Sequence, residues 1–169
     1  MMALAETPLR SSYLSECTRY RYSLTEALGR GTRAITWVML NPPTLDEVAD
    51  RTARHAANFS RRWGYDQMTI VNLFACRAAN PQDLALVEDP VGPENRWFVH
   101  QAVTDAELVV VGWGDGIGCV GTRPKTLEDL IDLRRANAAM LCFGLTDSGN
   151  PVHPACVPDS TIPIVWTAR

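Results

Sequence analysis

Four hydrophobic runs between residues 34 and 143 each break off at a short polar signature. They give way in turn to Leu40-Asn41-Pro42-Pro43, to Asn72-Leu73-Phe74-Ala75-Cys76-Arg77 and to Gly112-Trp113-Gly114-Asp115. The fourth ends at Phe143-Gly144, with His153-Pro154 beyond it. Apolar runs of this length predict strands buried on both faces, and in open α/β sheets ligands bind beyond the carboxyl ends of the strands. If the four strands are parallel, the four signatures converge on one crevice.

The stretches between the runs carry helical periodicity. The predicted strands are Ala34 to Leu40, Met68 to Phe74, Leu108 to Val111 and Ala139 to Phe143, with Ile162 to Trp166 as a short fifth. Helices are predicted from Val48 to Trp63, Glu94 to Asp105 and Thr126 to Ala138. Thr44-x-x-Glu47 has the form of a capping box, which starts either a helix near Leu45 or an isolated turn. The turn formers at Asn80-Pro81 and Asp89-Pro90-Val91-Gly92-Pro93 read as loop. Strands alternating with helices imply right-handed crossovers. The expected architecture is a single domain over residues 1–169, a three-layer α/β/α sandwich around a mainly parallel sheet of about four to five strands. Residues 1–32 read as a peripheral N-terminal segment, in which Arg19 to Leu24 alternates like a half-exposed antiparallel edge strand.

Net charge is −3 and hydrophobic residues make up 46% of the 169. An acidic chain is a poor candidate for coating nucleic acid, because such affinity comes largely from lysine and arginine on phosphates. Arg51, Arg54, Arg61 and Arg62 still share one predicted helix. No run reaches eighteen apolar residues and no basic-then-apolar leader opens the chain, so a cytoplasmic protein without a membrane span is expected. The five cysteines then read as reduced thiols. Cys142, His153 and Cys156 lack the second ligand pair of a zinc finger, so neither metal nor cofactor is expected.

Asn41 directly follows a predicted strand and precedes two prolines, so its amide either orients a polar ligand or satisfies an Asn-Pro turn. Asn72 is an amide inside an apolar run, and a buried amide must find partners in protein, water or ligand. Phe74 at a strand end is either a stacking platform or plain core. Trp113, between glycines, is placed on the crevice rim, and Gly112 to Gly121 weakly suggest a phosphate cradle without matching a known pattern. His153, between Pro151 and Pro154, is held rigidly where it either exchanges protons and hydrogen bonds with a ligand or bonds backbone. His55 and His100 fall on helix surfaces.

Tyr20-Arg21-Tyr22, Val38 to Pro42, Trp63-Gly64-Tyr65, Val71 to Ala75, Asp89 to Asn95 and Gly144-Leu145-Thr146 with His153-Pro154 resemble a bacterial domain family of unknown function, number 1643. That resemblance implies no activity. Pro43 stands where the family usually has serine. More distantly, the order of the signatures resembles that of the uracil-DNA glycosylase superfamily. The resemblance implies that Asn41, with Pro42, positions the attacking water; that Asn72 reads the base, with Arg77 following; that Trp113-Gly114 marks the third strand end; and that His153 stabilises the departing base. A base taken out of its stack would lie against Phe74. The implied activity is hydrolysis of the glycosidic bond of uracil or a modified base, with single-stranded or modified DNA, or a nucleotide, as partner. The other readings are a non-catalytic nucleotide- or nucleobase-binding domain and a protein-interaction module.

Overall fold

The computed structural model describes residues 10–44, 51–136 and 140–167. In chain order these form β1 (Arg10–Leu14), β2 (Arg21–Ala27), β3 (Ala34–Met39), α1 (Arg51–Arg62), β4 (Gln67–Asn72), α2 (Pro81–Leu84), α3 (Asn95–Asp105), β5 (Leu108–Val111), α4 (Lys125–Ala136), β6 (Met140–Cys142) and β7 (Ile164–Val165). Short 3-10 turns cover Asp115–Cys119 and Pro154–Cys156. The Thr44-x-x-Glu47 signal and the helix start expected at Val48 run into residues outside those described, as does the end of the helix expected at Ala138.

All strands among the described residues join one sheet in the order β1-β2-β4-β3-β5-β6-β7. The inner four, β4, β3, β5 and β6, are parallel. β1 and β2 run antiparallel at one side and β7 antiparallel at the other. The class is α/β, but the sheet has seven mixed strands rather than four to five. The short fifth strand expected at Ile162 to Trp166 is β7, and the edge strand expected at Arg19 to Leu24 is β2; the strand not foreseen is β1, because Arg10-Ser-Ser-Tyr-Leu14 carries little apolar signal.

The period-2 alternation of each strand divides the core. Ile35, Trp37, Met39, Met68 and Ile70 pack with Ala53, Ala56, Ala57 and Phe59 of α1 on one face. Val38, Val71, Val109 and Val111 pack with Val99 of α3 and Leu127 and Leu130 of α4 on the other. The result is three layers. The N-terminal segment is less peripheral than its alternation implied. β1 takes the edge, β2 lies inside it, and Tyr22 and Leu24 are fully buried. Glu26 of β2 ties this corner together, pairing with Arg10 of β1 at 2.6 Å and Arg61 of α1 at 2.9 Å.

Under α1 the rings of Trp37, Phe59, Trp63 and Phe143 form one aromatic cluster, with Trp37 and Trp63 stacked at 5.9 Å between centroids. Trp37 is wholly buried, so its indole N–H needs an acceptor. Ser60 Oγ supplies it at 3.0 Å and donates in turn to the Ala56 carbonyl at 2.8 Å. No helix among the described residues is long and apolar enough to cross a membrane. Ser60→Ala leaves a buried donor unpaired, so urea denaturation should show a loss of about 1–3 kcal/mol with unchanged m-value.

Candidate functional site

The β3–α1–β4 unit brings Asn41 and Asn72 together. Met39 and Asn72 are register partners on the parallel β3/β4 ladder, so the two strands end side by side. Asn72 keeps the phase of Met68 and Ile70 and therefore faces the α1 layer. Beyond these ends lies a cavity of about 280 Å³ lined by Arg21, Asn41, Arg51, Asn72 and His153 among others. Met39, Ile70 and Ala53 give it an apolar floor. The cavity lies over the ends of β3 and β4. His153 reaches it from the loop after β6, across the end of β5.

Each of the three polar residues is held in a defined state. Asn41 donates its Nδ2 to the carbonyls of Ala78 at 3.0 Å and Pro42 at 3.1 Å. Only the amino end of the amide can serve two carbonyls, so Oδ1 is the acceptor that Asn41 offers to the cavity. Asn72 is 2% exposed, and its Nδ2 has no hydrogen-bond partner among the described residues. A buried donor left open costs about 1–3 kcal/mol, so this amide is poised for an acceptor brought from outside. His153 Nδ1 accepts the Ala155 backbone N–H at 3.2 Å, which leaves the neutral ring's proton on Nε2 as a donor.

The Gly112-Trp113-Gly114 signature works as a seat for the histidine loop. A Cβ on Gly112 would stand 2.8 Å from Pro154 Cδ and 3.1 Å from the Val152 carbonyl oxygen, so only glycine permits this approach. Gly114 N–H donates to the Pro151 carbonyl at 2.8 Å. Asp115 Oδ1 accepts from Thr146 Oγ1 at 2.7 Å and Asn150 Nδ2 at 2.8 Å, closing the loop that precedes His153. These bonds, that from Asn150 foremost, hold the Asp115 carboxyl below its ordinary value. On the far side, His55 of α1 meets the Val157 carbonyl at 3.2 Å, and Arg62 donates to the Asp159 carbonyl. His55 is thus in contact with the loop rather than on a free helix surface.

Four residues singled out in the sequence lie outside the described lining. Phe74 is fully buried in the core between the sheet and α3/α4, with no face open to a ligand. Trp113 is not on a rim: it is 3% exposed, keeps the phase of Val109 and Val111, and meets Trp166 edge-on at 5.3 Å. Pro42 is buried, and its carbonyl accepts from Asn41 and from Ala78 N–H. Arg77 straps the Asn-Pro-Pro loop from behind, donating to the carbonyls of Pro43 at 3.4 Å, Thr18 at 3.3 Å and Thr44 at 2.7 Å.

Sequence reasoning passed over the supports. Asn95, wholly buried at the start of α3, donates Nδ2 to the carbonyls of Asn72 at 2.8 Å and Leu73 at 3.2 Å. Thr126 of α4 donates to the same Leu73 carbonyl at 2.6 Å. The Asp89 to Asn95 motif delivers Asn95. Its Val91 and Pro90 carbonyls accept from Ala75 and Cys76, and Gly92, at φ +88°, fits against Tyr20 and Tyr22. Asparagine and threonine in the first turns of two helices were the available signal. Arg21 of the cavity wall appeared only within the Tyr20-Arg21-Tyr22 motif, and Thr52 carried no signal.

A family model with the description "Protein of unknown function (DUF1643)" matches residues 21–155, a span that includes Arg21, Asn41, Asn72 and His153. No curated protein matches the chain, and no solved structure does.

Gly112→Ala should displace the Pro154 segment and lower the melting temperature, with the His153 ring signal shifted in an NMR spectrum. Asp115 adds a pH dependence. Its folded value lies below the unfolded one, so its contribution is complete above the unfolded carboxylate value of about 3.9 and is lost as pH falls through the lower folded value. Amide exchange in residues 144–151 should accelerate over that acid window in the native protein, and Asp115→Asn should flatten the dependence.

Proposed function

The chain belongs to the DUF1643 family of unknown function, and from the cavity of this member we propose a nucleobase-recognising N-glycosylase-like enzyme, hydrolysing the glycosidic bond of uracil or a modified base. One observation carries the reading: Asn41, Asn72 and His153, from three separate strand-end signatures, line one cavity, with the Asn72 donor buried and open. At about 280 Å³ the cavity is below the usual range for drug-sized ligands, about 300–1,000 Å³, and suits a small planar heterocycle.

In this mechanism Asn72 Nδ2 donates to a carbonyl oxygen of the base. As the bond between the anomeric carbon and the base nitrogen lengthens, its electron pair passes to the base. His153 Nε2–H stabilises the negative charge that develops on a base oxygen. Asn41 Oδ1 accepts a hydrogen bond from water and holds the water oxygen toward the anomeric carbon. An amide cannot take the proton, so cleavage is largely dissociative, and the water's proton leaves to solvent after attack on the cationic sugar.

The second reading is a nucleobase- or nucleotide-binding domain without turnover. The burial of Phe74 favours it, because that ring cannot serve as the stacking face expected for an extruded base. The two readings separate on base release from uracil- and modified-base substrates: oligonucleotides, single and double stranded, and nucleosides. Hydrolysis should exceed a buffer control. Asn41→Ala should lower it by about a hundredfold or more while binding persists, and His153→Ala by a similar or larger factor. Binding without release in the native protein selects the second reading.

A further inference from the structure

Resting on the nucleobase reading of the cavity, we infer that its ligand is a free nucleotide, whose phosphate is taken by Arg51 and Thr52, rather than a base within a nucleic-acid chain. The wall of the cavity is divided. One part is neutral and hydrogen-bonding, with the open Nδ2 of Asn72 and the amide of Asn41. Another is cationic: Arg51 and Thr52, adjacent at the start of the described part of α1, both line the cavity. Arg51 has no ion pair or hydrogen bond among the described residues, and no carboxylate is found among the described residues lining the cavity. Arg21, a second guanidinium in the same wall, is 2% exposed.

A ligand that matches this wall carries a neutral heterocycle at one end and an anion at the other. A guanidinium and a hydroxyl suit a phosphate, which takes the fork of arginine on two oxygens and a further hydrogen bond from threonine. The same wall argues against a polymer. Binding a nucleic-acid chain draws its affinity from many phosphates at once, whereas this chain carries net charge −3 and the cavity offers cations for a single phosphate.

Isothermal titration of the full chain at low salt tests this, comparing each common nucleoside with its 5′-monophosphate, a short single-stranded oligonucleotide of the same base, and inorganic phosphate. At least one monophosphate should bind about tenfold or more tightly than its nucleoside, the gain shrinking at high salt. Arg51→Gln should erase the gain while leaving nucleoside affinity and melting temperature unchanged, and Arg51→Lys should retain part of it. Equal affinity of nucleoside and monophosphate overturns the inference. So does a gain that survives Arg51→Gln, tighter binding of the oligonucleotide, or no binding at all. Monophosphate binding with the expected gain but without base release sinks the hydrolase reading and leaves the phosphate subsite standing. Base release with no phosphate gain does the reverse.

Discussion

The carbonyls of Asn72 and Leu73 are the constraint around which the rest of the structure is arranged. They lie where β4 has run out of ladder yet remain inside the protein, and a buried carbonyl without a donor costs about 1–3 kcal/mol. Asn95 satisfies both and Thr126 adds a second donor to Leu73. Because these donors sit in the first turns of α3 and α4, the two helices that cover one face of the sheet are both anchored to the same dipeptide. Asn95 meets this need at a cost of its own, since its Oδ1 is buried without a partner among the described residues.

That anchoring also governs the other face. With its backbone clamped from the α3/α4 side, Asn72 presents its side chain toward α1, and the clamp holds the amide in place with no side-chain partner among the described residues. Asn41 is fixed by a similar division of labour, its amino group tied to two carbonyls while Arg77 secures the following turn. His153 arrives last in the chain and is seated by the bare backbone of Gly112 and the Asp115 cluster. Rigid backbone behind functional side chains is the arrangement that preorganised recognition requires.

Much of this was legible. The strand ends and the α/β class followed from the apolar runs, and the three polar residues that line the cavity drew notice as an amide inside a run (Asn72), an amide just after one (Asn41) and a histidine held between prolines (His153). Of the two readings of Phe74 the plain-core one holds: β4 ends at Asn72 and the chain leaves the pleat, so Phe74 enters the opposite core. Trp113 was readable in principle: continuing the phase of Val109 and Val111 puts it on the α3/α4 side. The strand order of the sheet was not readable, since order depends on which segments pair across the sheet, and β1 buries too little apolar surface to mark itself.

Local pattern alone determined the alternation of strand and helix, the breaks at prolines and glycines, and the three amide and imidazole groups set at strand ends, because backbone sterics and side-chain period act over a few residues. Tertiary structure alone decided which of those groups meet. Arg21 and His153 share a cavity across most of the chain's length, and glycines that looked like a phosphate cradle serve as a seat for a loop. Such pairings depend on sheet order and on which side of the sheet each segment leaves its strand, quantities that no short window of sequence contains.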